Sequence, residues 1–229
     1  MMNPSKLILA ATALATLIAP VWLAVTLLPE RGLQLGNTRA DTVAETIALF
    51  KDKGFDPQKD IGNGNPELPP VFLTDLPADL SAQTDPDTRK TVFVSIVLPH
   101  VLFANERIRA ERCRLLRIKE EVSQEQTLRP RDRRWLLEIA KTYRTDPMDL
   151  DELLRRVDIV PPRLAVAQAA QESGWGTSRF AQTGNALFGQ HAPVGDGAIS
   201  ASGSSTVALK AFDSLQASVR DYMRNLNRH

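Results

Sequence analysis

Past residue 86 the apolar positions recur every three or four residues, a period that predicts helices. TRKTVFVSIVLPHVLFANE continues into RIRAERCRLLRIKEEVSQE as one long helical pattern from Asp87 to about Glu125. Pro99 inside it is expected to kink or divide the helix, because proline lacks an amide donor and crowds the preceding turn. In the second half Ile108, Leu115 and Ile118 make the apolar stripe. The charges around that stripe read as the solvated face of a packed helix. PRDRRWLLEIAKTYR opens at Pro130 and predicts another helix, and Asp149 suits the N-cap of a third, LDELLRRVDIV. Pro161 and Pro162 start RLAVAQAAQES, and DSLQASVRDYMRNLN (213–227) is capped by Asp213 or Ser214 with Leu215, Val219, Met223 and Leu226 as its stripe. Between these two helices HAPVGDGAISASGSSTVALKAF is rich in glycine and serine, with one alternating run, STVALKAF, that suits a strand. The fold class is therefore mainly α with a small β lobe.

Upstream the pattern is mixed. DTVAETIALFKDKGF (41–55) has helical spacing at Val43, Ile47 and Phe50, IGNGNPELPP (61–70) reads as a loop, and PVFLTDLPADL is a short apolar piece broken by proline. Before all of this, Leu7 to Leu28 form an apolar run without a charge, long enough to cross a bilayer and longer than the core of a cleaved signal. Lys6 precedes the run while Glu30 and Arg31 follow it, which places the short N-terminus in the cytoplasm. The expected organisation is a membrane anchor or signal over 1–29, a linker region with a short helix over 30–86, and a helical domain over 87–229.

Composition adds exclusions. A net charge of +1 gives no reason to expect nucleic acid as a partner. One cysteine, Cys113, rules out an internal disulfide framework, and His100, His191 and His229 are too scattered for a zinc motif. Nothing calls for a metal or a cofactor.

The chemistry concentrates in AAQESGWGTSRFAQTGNALFGQ, residues 169–190. Gly174 suits a helix C-cap, Thr177 or Ser178 can cap the next short helix, and Glu172 falls in the last turn, on one face with Leu164 and Gln168. The helix dipole there disfavours a negative charge, and Trp175 as a neighbour would add desolvation. Both favour the protonated carboxyl that a general acid needs.

ESGWGTS followed by GNALFGQ resembles the signature of the Bax-like glucosaminidases, within the mannosyl-glycoprotein endo-β-N-acetylglucosaminidase-like domain of glycoside hydrolase family 73. The likeness extends through PPVFLTDLPADL, VLPHVLFANERIRAERCRLL, IVPPRLAVAQAA and AFDSLQASVRDYMRNLN, over roughly residues 66–229. It implies a lysozyme-like α+β domain with a saccharide groove, acting on peptidoglycan or another N-acetylglucosamine-containing glycan. By the resemblance Glu172 is the catalytic acid. Asn185, Phe188 and Gln190 belong to the turn at the groove, and Tyr222 matches an aromatic on the following helix. Gln168 is a candidate polar partner of Glu172, and Trp175 packs between the short helices with sugar contact secondary. With the anchor at residues 7–28, a single-pass protein of the bacterial inner membrane with its domain in the periplasm follows.

Two features depart from the family pattern. Its second acid comes from the β lobe, but GSSTVALK has no carboxylate, so Asp196 takes the role or the substrate's acetamido group does. The chain stops at NLNRH where relatives resemble NLNTHPAY and continue, as a C-terminally truncated domain would. An inactive or glycan-binding lysozyme-like module and a lytic transglycosylase stand beside the hydrolase as alternatives.

Overall fold

Residues 38–61, 68–192, 198–200 and 208–228 are described in the computed structural model. Thr42 starts α1 (Val43–Asp52) with a reciprocal cap: its hydroxyl accepts from the Glu45 amide, and the Glu45 carboxylate accepts from its own. A single turn, α2 (Pro57–Asp60), follows. The apolar piece after it is buried at Val71, Phe72, Leu73 and Leu76, bridges Leu73 to Thr38, and ends in a 3-10 helix, Ala78–Ala82. Val71, Leu73, Leu76 and Leu80 share one hydrophobic cluster with the long helix that comes next, so the expected boundary at residue 86 is not a structural one. Its contacts are long-range, and no local period announces them. The expected anchor at 7–28 lies outside the described residues.

That long helix is α3 (Pro86–Ser123), 38 residues capped by Asp85. Contrary to expectation, Pro99 does not divide it. Only the hydrogen bond to Ser95 is forfeited, while Ile96, Val97 and Val101 on either side are fully buried, and that packing outweighs proline's penalty of about 3 kcal/mol. By length and composition α3 could cross a membrane, but its apolar half is buried inside the domain. The helices α4 (Pro130–Tyr143), α5 (Leu150–Arg156), α6 (Pro162–Ser173), α7 (Arg179–Gly184) and α8 (Leu215–Leu226) gather around it, with α6 and α8 packed directly on α3. The caps fall on Asp149, Ser178 and Ser214, each accepting a backbone amide three residues on. Leu226 is the member of the expected α8 stripe that stays exposed.

The charges on the second half of α3 are more than a solvated face. Arg114 and Arg117 reach Asp132 on α4, joined by Arg129, and the Asp132 side chain is 1% exposed. Burial would push that carboxyl up, but hydrogen bonds from Arg114 and Arg117 and the attraction of the guanidinium groups hold it at about 2.

A three-stranded antiparallel sheet, order β1-β3-β2, forms the β lobe from β1 (His191–Ala192), β2 (Ala198–Ser200) and β3 (Ala208–Lys210). Leu209 pairs with His191 on one side and Ile199 on the other. The Lys210 amide donates to the Gln190 carbonyl and the Phe212 amide to the Gly184 carbonyl, which moors the lobe to the end of α7.

Two buried polar side chains on α3 fix the helices that carry the site. Asn105 is 1% exposed; its amide donates to the Val160 carbonyl (2.8 Å) and its oxygen accepts from the Val160 amide (3.0 Å). This clamp holds the chain where it enters α6. Asn105→Ala leaves both backbone groups buried and unpaired, and is expected to lower unfolding free energy by about 2 kcal/mol in urea titrations. A loss below about 0.5 kcal/mol, the scale of an ordinary surface change, would show the clamp to be idle.

His100 shares a hydrogen bond of 2.9 Å with Gln216 of α8. Desolvation by burial drives its pKa down to about 4, against the hydrogen bonds to Gln216 and the Leu73 backbone, which raise it. Between the ordinary value of 6.5 and about 4 the unfolded chain binds a proton that the folded chain does not. Stability therefore falls as pH drops through that window, by about 3 kcal/mol in all. His100→Gln is expected to flatten this part of a plot of urea midpoint against pH; an unchanged slope would exclude His100 as its source.

Candidate active site

The end of α6 is built from local rules. Gly174 adopts a left-handed conformation (φ +59°), and the Trp175 amide reaches back to the Ala170 carbonyl at 2.7 Å, a Schellman closure. Glu172 is thereby the last residue but one before the cap, and it is exposed. Trp175 (φ +59°) and Gly176 (φ +78°) are left-handed too, so three successive residues reverse the chain. For Trp175 this costs about 1–2 kcal/mol, offset by packing edge-on against Phe93 with centroids 5.9 Å apart. Gly176 is needed for closeness: a Cβ there would lie 2.9 Å from Leu80, 3.0 Å from Leu76 and 3.0 Å from Phe93.

The LFGQ turn comes back beneath Glu172. Leu187 is fully buried, and the Phe188 ring stacks on Tyr222 at 3.8 Å with 4° between the planes. The Tyr222 hydroxyl donates to the Gln168 side chain, one turn before Glu172, and burial pushes that phenol's pKa up. Gly189 is left-handed (φ +58°), and a Cβ on it would stand 3.2 Å from the Glu172 carboxylate. The acid thus rests over the one residue type that leaves it room. Beside this turn opens a cavity of about 450 Å³, closed by Lys210 of β3 and by Asp221, Tyr222 and Asn225 of α8. Lys210 pairs with Asp221 at 2.8 Å, and the Gln190 amide donates to the same carboxylate oxygen at 3.2 Å.

An exposed carboxyl at a helix tip, against a glycine that edges a polar cavity with a stacked aromatic wall, can donate a proton to a bound saccharide. Residues 149–229, from the cap of α5 through α8, match the family model described as mannosyl-glycoprotein endo-beta-N-acetylglucosaminidase. "Protein bax" of Escherichia coli (strain K12) is 36% identical over 157 residues, 66% of this chain and 55% of that protein. This is a Bax-like glucosaminidase-domain protein. It spans about half the length of the curated relative it matches, and no solved structure matches it.

In this glucosaminidase domain Gln168, Glu172, Phe188, Gln190 and Tyr222 come together as the sequence suggests. Trp175 and Asn185 do not join them. The indole packs on Phe93, beneath the Lys90 ammonium, and lines a second, apolar cavity with Val94, Leu98 and Val166. With Glu172 exposed, the desolvation expected from Trp175 is not what this geometry provides. Asn185 is buried and left-handed, and its amide donates to Asp75 (3.0 Å) and to the Phe212 carbonyl (3.2 Å). It acts on the groove by fixing the turn. Asp196 lies outside the described residues.

Sequence reasoning passed over Asp221, Lys210, Asn225 and Arg228, all of which line the cavity. A signal existed for three of them. Asp221, Asn225 and Arg228 are spaced i, i+4, i+7 along the last helix and its end, beside Tyr222, a polar stripe next to the apolar one.

Proposed function

We propose that this domain hydrolyses the glycosidic bond that follows N-acetylglucosamine in peptidoglycan or a related glycan, with Glu172 as the general acid. The glucosaminidase-family match over residues 149–229 supports a glycoside hydrolase in kind and suggests a glycan substrate. The observation that carries the finer reading is Glu172 standing exposed against Gly189, a residue that lines the cavity. The helices with a small three-stranded lobe support a lysozyme-like arrangement, and Phe188 and Tyr222 give a sugar an aromatic wall. We read residues 7–28 as the anchor of a protein whose domain works in the periplasm.

The test is incubation of the purified chain with peptidoglycan, followed by mass spectrometry of the soluble products. New reducing ends on N-acetylglucosamine are the expected outcome. Anhydro-sugar ends would instead identify a lytic transglycosylase, and binding without any cleavage a glycan-binding module.

A further inference from the structure

We propose that Asp221 is the second carboxylate of this hydrolysis and takes the proton of the attacking water. The inference rests on the reading of Glu172 as the acid. Glycoside hydrolysis of the common kind needs two carboxyl groups across the scissile bond. The strand-forming residues 198–200 and 208–210 carry none. Asp75 is tied to Asn185, so the described carboxylate that lines the cavity is Asp221.

Its setting is that of a placed group. The two donors, Lys210 Nζ at 2.8 Å and Gln190 Nε2 at 3.2 Å, share Oδ2, so Oδ1 accepts no hydrogen bond among the described residues. The next residue, Tyr222, joins α8 to the helix of the acid through Gln168, and to the groove turn by its stack on Phe188. Glu172 thus abuts Gly189 while Asp221 holds Gln190, the two carboxylates meeting adjacent residues of one turn. The glutamine that holds Asp221 carries a further polar atom at the same place. The Gln190 Oε1 atom is buried with no hydrogen-bond partner among the described residues.

The step balances. The water oxygen bonds to the anomeric carbon while its proton passes to the Asp221 carboxylate. The bond from that carbon to the leaving oxygen breaks, its electron pair stays on that oxygen, and the proton of Glu172 completes the new hydroxyl. No other reactant is needed.

The experiment compares Asp221→Asn, Asp221→Ala, Asp196→Asn and Glu172→Gln with the unaltered chain on peptidoglycan, with and without sodium azide. Asp221→Asn is expected to lower kcat about a hundredfold or more with KM within about threefold, as loss of a general base does. In Asp221→Ala, azide replaces the deprotonated water, so turnover recovers and the products carry a glycosyl azide visible by mass. A strut joining β3 to α8 would give neither the rescue nor the azide adduct. Activity retained in both Asp221 variants, or lost without rescue while Asp196→Asn is dead, overturns the inference. Glu172→Gln separates the two levels: if it stays active, the reading beneath has failed, and if only it is inactive, the assignment of Asp221 alone has failed.

Discussion

Glu172→Gln is expected to reduce turnover on peptidoglycan about a thousandfold and to leave Tm within about 2 °C. The first half follows from chemistry. Glutamine keeps the shape and polarity of the side chain but has no acidic proton, and a positioned general acid contributes about 10²–10⁴ in rate. The second half follows from placement. Glu172 is exposed and, among the described residues, accepts no hydrogen bond and closes no ion pair, so the helix end has nothing to lose. The α6 terminus is held instead by Gly174 and by Ser173, whose hydroxyl accepts from the Gly176 amide at 2.8 Å. Thermal melts and initial rates on one preparation decide the matter. A variant that keeps a tenth of the rate would remove Glu172 from the acid's role, and a variant that unfolds would show it to be structural.

How much of this was legible beforehand depends on the range of the interaction. Caps and helix ends are local, so Asp149 and Gly174 stand where the sequence places them, and Ser178 and Ser214 are each one of the two neighbouring caps it offers. The close approach of Gly176 to Leu76 and Leu80 joins residues about a hundred positions apart, and no periodicity carries it. For the same reason residues 38–82 read as a linker although they contribute fully buried Phe50 and Leu80 to the core. Asn185 shows a subtler failure. Its place in the turn motif is visible, but its engagement with Asp75 depends on the apolar segment 71–76 folding back, which the motif does not encode. Asp221 was hidden by attention to the apolar stripe of α8, since a carboxylate on the polar side of an amphipathic helix looks like every other solvated charge.

Gly189→Ala should lower kcat by about three- to tenfold with little change in KM, and should lose about 1–2 kcal/mol of stability. Alanine at φ +58° takes on the steric penalty of the left-handed region, about 1–2 kcal/mol. The activity loss has a different origin. The new methyl carbon would sit 3.2 Å from a Glu172 carboxylate oxygen, tighter than ordinary van der Waals contact, so the acid must shift from the turn by a few tenths of an ångström. Misplacing a catalytic group by about an ångström can cost about a hundredfold in rate, so a shift of this smaller size is expected to cost about tenfold or less. Gly54→Ala provides the control that separates the two effects. Gly54 is also left-handed (φ +78°), but an added Cβ there meets nothing within 4 Å. It should therefore reproduce the fall in Tm and keep full turnover. If Gly189→Ala behaves like Gly54→Ala, destabilised yet active, then the contact between Gly189 and Glu172 does not set the position of the acid, and the glycine answers only to the geometry of its turn.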